Sequence, residues 1–187
     1  VNGVLELDNT NYRGGFVAYN YQRSAWQNYS KKIVPQRIPS MAQTSDGRLW
    51  FSGDNLTVFN GIGSQRVDIP AKSSNWIDDV GISESDQIWV AQGGTGLFYY
   101  DGKNWIRFTT FNGLASNMVT NILIKNDSSV YVASDKGISF FDGQQFIPQI
   151  IHPELNIQRE RGFLRKSADG ALWVNQATRE WYLYDFK

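Results

Sequence analysis

Residues 85–108 read SDQIWVAQGGTGLFYYDGKNWIRF, and this stretch predicts three short β-strands in series. We place the strands at residues 87–91, 96–100 and 105–108, separated by a Gly-rich turn and by Asp101-Gly102. Asp-Gly between two apolar runs is a strong hairpin signal, because a type I′ turn needs positive φ at both central residues. The stretch therefore predicts a meander of antiparallel strands with a type I′ turn at Asp101-Gly102.

The same pattern returns along the whole chain with a period of about 41 residues. Asx-led turns that precede an apolar strand begin at positions 2, 46, 86, 127 and 169. Asx-led turns that follow an apolar strand begin at positions 20, 60, 101, 142 and 185. Two independent landmarks that share one spacing indicate an internal repeat.

Each repeat holds four strand-sized segments, which we name A to D in chain order. In the third repeat they are residues 77–82, 87–91, 96–100 and 105–108, and in the fourth 119–124, 130–134, 137–141 and 145–148. Four short antiparallel strands in a unit of this length are typical of a β-propeller blade. We predict an all-β propeller region with blade units at about residues 1–33, 34–71, 72–114, 115–157 and 158–187, and at most one short helical turn, in the connector 149–161.

Composition excludes several classes of function. The formal net charge is zero, which gives no electrostatic ground for binding nucleic acid or an anionic membrane. The absence of Cys excludes disulfides, thiolate catalysis and Cys-ligated metals; it suits a periplasmic or secreted domain and leaves the cytosol open. Since the chain starts without Met, we expect that it was cut from a longer precursor.

An aromatic residue holds the same place in segment B of four repeats, at Trp50, Trp89, Tyr131 and Trp173. Packing between blades demands such a fixed place, whereas a ligand site usually breaks the symmetry of a repeat. We therefore predict that these side chains are core anchors, with a ligand-stacking platform as the alternative. Segment D carries aromatic pairs with the same predicted role, Trp26 with Tyr29 and Trp105 with Phe108.

The fourth repeat carries Gly113-Leu-Ala-Ser-Asn-Met-Val119, followed by Ile122, Asp127, Val130-Tyr-Val-Ala-Ser134 and Gly137-Ile138. These residues resemble the two-component regulator propeller repeat, whose pattern runs roughly G-L-P-S-N-x-V, a strand, D-x-x-G-x-L-W-[VI]-G-T and x-x-G-[LI]. Asp46-Gly-Arg-Leu-Trp-Phe-Ser-Gly53 and Asp169-Gly-Ala-Leu-Trp-Val174 match its central part. Ala115 departs from the pattern where Pro is usual, and Arg179-Glu180 stands where Gly-Leu is expected.

The resemblance implies a seven-bladed sensor propeller on the periplasmic side of a membrane-anchored bacterial regulator, with a histidine kinase or diguanylate cyclase elsewhere in the protein. The chain starts with segment B and ends with segment C, so we expect about four and a half blades of such a ring. A self-contained five-bladed ring is the alternative. The expected partners are a glycan, another small molecule or a protein, together with the remaining blades, and neither nucleic acid nor a membrane.

Few residues are suited to catalysis or metal binding, so we expect a non-catalytic region without cofactor or metal. The single His152 argues against a nucleophilic triad and His-cluster metals, while carboxylate-only Ca²⁺ sites remain open. Asp78 and Asp79 are adjacent at the start of a strand and should point to opposite faces. Residues 93–96, GGTG, predict a tight turn and not a phosphate loop, because neither Lys nor a helix follows. Arg159, Arg161, Arg165 and Lys166 predict a solvated basic edge.

The B–C and D–A loops of a propeller gather on one face around the central channel, where loops on a rigid scaffold carry recognition. Our candidates for ligand or partner binding are the residues there that the repeats do not share: Tyr12, Arg13, Asp54, Trp76, Asn117, Lys136 and Arg179. Trp76 has no aromatic counterpart in the neighbouring repeats, so it is suited to stack on a sugar ring or to pack on a partner domain. The alternative functions are a propeller enzyme similar to the streptogramin-type lyases, whose repeats also carry G-x-[IL]-W-F, and a surface or secretion accessory.

Overall fold

The structure, a computed structural model, describes residues 5–6, 15–20, 24–30, 37–71, 76–149, 164–166, 172–175 and 181–184. These residues form five antiparallel sheets in chain order, and we name the sheets blades 1 to 5. Blade 1 has β1 (Leu5–Glu6), β2 (Gly15–Asn20) and β3 (Ala25–Ser30). Blade 2 has β4 (Met41–Gln43), β5 (Leu49–Phe51), β6 (Leu56–Phe59) and β7 (Ser64–Val67). Blade 3 has β8 (Asp79–Ile82), β9 (Ile88–Gln92), β10 (Gly96–Tyr100) and β11 (Trp105–Phe108). Blade 4 has β12 (Val119–Asn126), β13 (Ser129–Ser134), β14 (Gly137–Phe141) and β15 (Phe146–Gln149). Blade 5 has β16 (Leu164–Lys166), β17 (Leu172–Asn175) and β18 (Trp181–Tyr184).

The strands of each blade pair in sequence order, so every blade is a simple meander. The first strands of blades 2 to 5 lie next to one another, β4 against β8, β8 against β12 and β12 against β16. This arrangement, with segment A innermost and segment D outermost, is that of a β-propeller, and it confirms the predicted fold class. We name the side that carries the B–C turns and the D–A connectors the B–C face, and the opposite side the A–B face.

The core lies between the blades, because alternate residues of a strand point to opposite sides of its sheet. In β9, Ile88 and Val90 pack against blade 2, whereas Trp89 and Ala91 pack against blade 4. A blade that is covered on both sides needs apolar residues on both, which explains why segment B reads as a continuous apolar run. All five residues of β9 are buried.

The aromatic anchors of segment B fill these spaces between blades, as predicted, in three of the four repeats. Trp50, Trp89 and Tyr131 are buried, and each packs toward the following blade. Trp89 contacts Tyr99 at 4.5 Å between ring centroids. Trp173 departs from the prediction with 36% of its surface exposed. Its neighbour Val174 packs on blade 4, so Trp173 points to the other side of β17.

The Asp101-Gly102 turn does not have the predicted type I′ geometry. Gly102 has φ +95°, but Asp101 is absent from the described non-glycine residues with positive φ. The loop instead spans four residues, and Asp101 Oδ1 accepts hydrogen bonds from the N–H groups of Lys103 and Asn104, at 2.8 and 2.7 Å. The Asp101 side chain thus stabilises the turn as a hydrogen-bond acceptor, whereas a type I′ turn would require Asp101 itself to have positive φ.

A buried hydrogen-bond ladder joins the innermost strands. The carboxylate of Asp79 in blade 3 accepts hydrogen bonds from Asn121 Nδ2 at 2.6 Å and from the Ile122 N–H at 2.7 Å, both in blade 4. Asn121 Oδ1 in turn accepts the Leu164 N–H of blade 5 at 2.7 Å. Three consecutive blades are therefore linked at their inner edge.

The A–B face has ties of its own. Asp86 accepts hydrogen bonds from the N–H and the hydroxyl of Ser45, one blade earlier, at 2.7 and 2.5 Å. Asp127 accepts the Ser85 N–H in the same way at 2.9 Å. The Asp residues of the A–B turns of blades 3 and 4 thus link each of these blades to the blade before it.

One connector contains a helical turn. Thr110–Asn112 form a 3₁₀ turn between blades 3 and 4, capped by the Thr109 side chain and ended by Gly113 at φ +93°. A Cβ at Gly113 would stand 2.1 Å from the Phe146 carbonyl oxygen, so the connector needs glycine there. The helical turn predicted in residues 149–161 lies outside the described residues. No helix in the described part of the chain has the length and apolar character of a membrane span.

Candidate ligand-binding face

Of the seven predicted site residues, the structure describes Asp54, Trp76, Asn117 and Lys136. All four lie on the B–C face: Asp54 and Lys136 in B–C turns, Trp76 and Asn117 in the connectors that lead into β8 and β12. Tyr12, Arg13 and Arg179 lie outside the described residues, so their assignment stays a prediction.

The side chain of Trp76 is half-buried and held in a fixed orientation. Its indole Nε1–H donates to Asp78 Oδ1 at 3.3 Å. The other oxygen of Asp78, Oδ2, accepts the backbone N–H of Gly93 at 2.9 Å. The Asp78 carboxylate therefore connects the indole ring to the B–C turn of its own blade.

Gly93 allows this contact because it has no side chain. A Cβ at this position would stand 2.9 Å from Asp78 Oδ2, closer than Cβ atoms approach other heavy atoms. Residues 93–96 form the tight B–C turn that the sequence predicted, with Gly94 at φ +84° and Gly96 at φ +109°. The turn thus acts as a support for Asp78.

Arg37 lies over the ring of Trp76, with its Cζ atom 5.8 Å from the ring centroid. The residue is exposed, and no described side chain or carbonyl accepts a hydrogen bond from its guanidinium group. Arg37 precedes β4 as Trp76 precedes β8, so the two residues hold equivalent places in blades 2 and 3. A cation over an indole face gains about 0.5–1 kcal/mol at an exposed site.

Asp54 adjoins a backbone contact between blades 2 and 3. Gly53 and Ile77 form an antiparallel bridge, and the Ile77 N–H donates to the Gly53 carbonyl at 2.7 Å. Asp54 follows Gly53 and Trp76 precedes Ile77, so the two residues lie at the same end of this bridge. Asp54 is exposed, and no described residue donates to its carboxylate. A cation therefore lies over the Trp76 ring, and an anion lies at the same end of the Gly53–Ile77 bridge.

Asn117 and Lys136 take different positions. Asn117 Oδ1 accepts the Thr110 N–H at 2.9 Å, and its carbonyl accepts the Gly94 N–H of blade 3 at 3.0 Å. These bonds fold the connector onto the neighbouring blade, so Asn117 has a structural role there. Lys136 is exposed at the tip of the B–C turn of blade 4.

Asp78 and Asp79 point to opposite sides, as the sequence predicted, and meet different electrostatic environments. Asp78 is bonded on the B–C face, whereas Asp79 is 5% exposed between the innermost strands. Burial raises the pKa of Asp79, and the hydrogen bonds from Ser40, Ile122, Val80 and Asn121 oppose that rise. Asp79 therefore belongs to the scaffold.

Arg37 is the residue of this site that the sequence did not reveal. Arg37 belongs to a different repeat from Trp76, and no turn or motif in the sequence marks it. Arg37 precedes Ile38 as Trp76 precedes Ile77. This shared position in two repeats is the signal that could have identified Arg37. In the described part of the chain, no three Asp, Glu, His or Cys side chains lie close enough to hold a metal ion.

Comparison with known families identifies the chain. The sequence model of the photosynthesis system II assembly factor YCF48 matches residues 10–140, more than half of the chain. The chain belongs to the YCF48 family. A search of the curated proteins gave no match.

Solved structures share the fold of this family member. The extracellular domain of the hybrid two-component system BT3049 from B. thetaiotaomicron superposes with a TM-score of 0.74 at 18% identity, over 98% of this chain and 27% of that one. Virginiamycin B lyase from Staphylococcus aureus superposes with a TM-score of 0.68 at 13% identity, over 98% of this chain and 69% of that one. A structure of YCF48 bound to D1 peptide gives a TM-score of 0.62 at 10% identity, over 92% of this chain and 57% of that one.

These structures confirm a propeller and, at such identities, only the fold. The chain spans about a quarter of the BT3049 domain and more than half of the other two proteins. Extracellular sensor domains, an enzyme and a peptide-binding protein are all built on this fold, so function has to be argued from the site.

Proposed function

We propose that this chain is a non-catalytic recognition propeller that binds its ligand on the B–C face. In this proposal it is the extracytoplasmic, periplasmic sensor part of a bacterial transmembrane signalling protein of the histidine kinase or diguanylate cyclase type. The observation that carries the proposal is the fixed indole of Trp76, with Arg37 over its ring and Asp54 at the same end of the Gly53–Ile77 bridge.

Preorganisation is the physical reason why this cluster is suited to binding. The indole is held by Asp78, which is itself held by Gly93, so little side-chain freedom remains to be lost when a ligand arrives. Ordering one flexible side chain on binding costs about 0.5–1.5 kcal/mol, and a fixed ring avoids that cost. Recognition sites built on rigid elements with supporting hydrogen bonds are also the more precise ones.

The sensor assignment has two supports. The motifs of the second, fourth and fifth repeats resemble the two-component regulator propeller repeat. The extracellular domains of BT3049 and BT4673 also share the fold over nearly the whole of this chain, with TM-scores of 0.74 and 0.59. The coding sequence on both sides of the chain tests the assignment. A membrane span followed by a kinase or cyclase domain is expected, and a stop codon directly after Lys187 would contradict it.

Ligand binding on the B–C face is tested by a thermal-shift screen of the purified chain against glycans and small metabolites. We expect a ligand that raises Tm for the native chain and fails to do so for Trp76→Ala. Phe111→Ala is the matched control, since Phe111 is an aromatic residue of the same face that is 99% exposed. Loss of the shift in the control alone would move the binding site to the connector between blades 3 and 4.

A second candidate function, an assembly or surface accessory, is favoured by the family match and by Phe111. A fully exposed Phe on a capped 3₁₀ turn is what a protein partner would bury. A peptide array probed with the native chain, with Phe111→Ala and with Trp76→Ala tests this function. Peptide binding that depends on Phe111 and not on Trp76 would favour the accessory over the sensor.

A further inference from the structure

We propose that the cluster of Arg37, Trp76 and Asp54 binds a small ligand in which a carboxylate stands beside a hydrogen-bond donor. A sugar acid and an amino acid are the two sources of this chemistry. The inference rests on the proposed function and specifies the ligand of the same face.

Arg37 differs from the other arginines that the structure describes. Arg48 and Arg66 form ion pairs with Asp46 and Asp68, at 2.7 and 3.1 Å. Arg107 donates to the Thr95 carbonyl at 2.8 Å, and Arg165 to the Leu164 carbonyl at 2.9 Å. Within the described residues, only the guanidinium of Arg37 has no hydrogen-bond acceptor, and its Cζ atom lies 5.8 Å from the centroid of the Trp76 ring.

A planar guanidinium held by stacking offers two parallel N–H groups along its edge. A carboxylate matches this edge with two hydrogen bonds, which are about twice as strong as bonds between neutral groups. The indole Nε1–H of Trp76 is already donated to Asp78, so Arg37 is the donor that remains at the cluster. The geometry therefore points to a carboxylate on Arg37.

The acidic residues of the cluster require that the ligand carry more than negative charge. Both oxygens of Asp78 already accept hydrogen bonds, from Trp76 and Gly93. Asp54 is exposed and has no described donor, so it would repel an anion that offers nothing to its carboxylate. A hydroxyl or ammonium group next to the ligand carboxylate satisfies Asp54 and removes this repulsion.

The experiment is a titration of the ¹⁵N-labelled chain, followed by the indole N–H signals of its seven tryptophans. The probes are D-glucuronate for the sugar acids and L-serine for the amino acids, each with its methyl ester as the control without a carboxylate. We expect one of the two acids to shift the Trp76 signal, which Trp76→Phe identifies by its loss. The ester should bind at least about tenfold more weakly.

Two arginine variants make the test specific. Arg37→Gln should weaken binding of the acid by about tenfold or more and should leave the ester unaffected. Arg107→Gln is the matched control, because Arg107 also stacks on an aromatic ring, with its Cζ 5.9 Å from the centroid of Phe98. Asp54→Asn should weaken binding of the acid as well, since it removes the negative charge that accepts a hydrogen bond from the hydroxyl or ammonium group of the ligand.

Any one of three results overturns the inference. The acid and its ester bind with equal affinity, Arg37→Gln and the native chain bind the acid with equal affinity, or neither acid shifts the Trp76 signal. Failure of the inference is distinguishable from failure of the proposed function. A neutral ligand that binds in a Trp76-dependent way would keep the B–C face as the site and refute the carboxylate. Absence of any Trp76-dependent ligand in the thermal-shift screen would refute both.

Discussion

Gly93 is the residue on which the orientation of Trp76 depends, because its backbone approaches the Asp78 carboxylate without a side chain between them. We predict that Gly93→Ala displaces this carboxylate, since the new Cβ would stand 2.9 Å from Oδ2. The atom that has to move is the end of a side chain, so the free energy of unfolding should fall by no more than about 1 kcal/mol. The Trp76 indole N–H signal should shift, and ligand affinity at the B–C face should fall.

Gly63→Ala is the control for Gly93→Ala, because a Cβ at Gly63 would meet no heavy atom within 4 Å. The control should leave the indole signals unchanged. An unchanged Trp76 signal in Gly93→Ala would show that the ring does not depend on Asp78.

Asp79 is the buried acid that links blades 3 and 4. Asp79→Ala leaves the Asn121 side-chain N–H and the Ile122 N–H buried without an acceptor. Because a buried unsatisfied donor costs about 1–3 kcal/mol, we predict a loss of about 3 kcal/mol in the free energy of unfolding, measured with urea. Asp68→Ala is the control, since the ion pair of Asp68 with Arg66 is exposed and should contribute less than about 1 kcal/mol. Equal losses in the two variants would contradict the prediction.

The direction of the pKa shift of Asp79 determines whether its contribution to the free energy of unfolding rises or falls with pH. Burial raises the folded-state pKa above the ordinary value of 3.8, so the contribution of Asp79 is fully present below that value. The contribution is lost as pH rises through the higher folded pKa. Asp79→Asn has no charge to bury, so we predict that its stability lacks this pH dependence. A series of urea unfolding curves from pH 4 to pH 7 on both proteins measures the difference.

The C–D turns show one element built in the same way in three blades. Asn60, Asp101 and Asp142 each accept two backbone N–H groups, two and three residues further on. The glycine after each of them has positive φ, between +92° and +97°. Since Asn60 performs the same task, we predict that Asp142→Asn keeps the Tm of the native chain at pH 7, whereas Asp142→Ala lowers it. A fall in Tm with Asn as large as with Ala would refute the role of the acceptor.

The Asp residues of the same turns also determine how Tm falls at low pH. Backbone N–H groups hold the pKa of Asp101 and Asp142 below 3.8. Their contribution is therefore present above that value and is lost as pH falls through the lower folded pKa. In Asp142→Asn this loss is absent, so we expect the native chain to lose Tm faster than the variant below about pH 4.

The sequence predicted the strands of the blades more reliably than their turns. Segments C and D of blade 3 have the predicted bounds, because the alternation of apolar residues and the flanking glycines act locally. Segment A of blade 3 is shorter than predicted, since Ile77 bonds to Gly53 of blade 2 instead of continuing the sheet of its own blade. The conformation of Asp101 was missed because an Asx acceptor and a left-handed residue satisfy the same Asp-Gly pattern.

The candidate site was predictable only in part, for a similar reason. Trp76 differed from its counterparts in the other repeats, and this difference is visible in the sequence. Arg37 became a site residue only through its contact with Trp76 in the next blade. Asn117 had the same sequence signal as Trp76, yet its hydrogen bonds fold a connector. Here the contacts between blades distinguish binding residues from structural ones, and the comparison of repeat sequences alone does not.

Consecutive blades contact one another along the whole series of five. The contacts are an apolar layer between sheets, the ladder of innermost strands and the ties between A–B turns. In such an array, stability is close to a sum of blade terms and nearest-neighbour terms. The B–C face inherits this rigidity, since Trp76 belongs to blade 3 and Arg37 to blade 2.

Asn121 tests whether the ladder transmits stability from one blade to the next. Its Oδ1 accepts the Leu164 N–H of blade 5, while its Nδ2 donates to Asp79 of blade 3. We predict that Asn121→Ala speeds amide hydrogen exchange at Leu164 by roughly tenfold or more, since the lost bond is buried. The Ile122 N–H keeps its acceptor on Asp79, so its exchange should change less. Asn104→Ala, at an exposed turn, is the control, and an unchanged rate at Leu164 in Asn121→Ala would show that the apolar layers alone couple the blades.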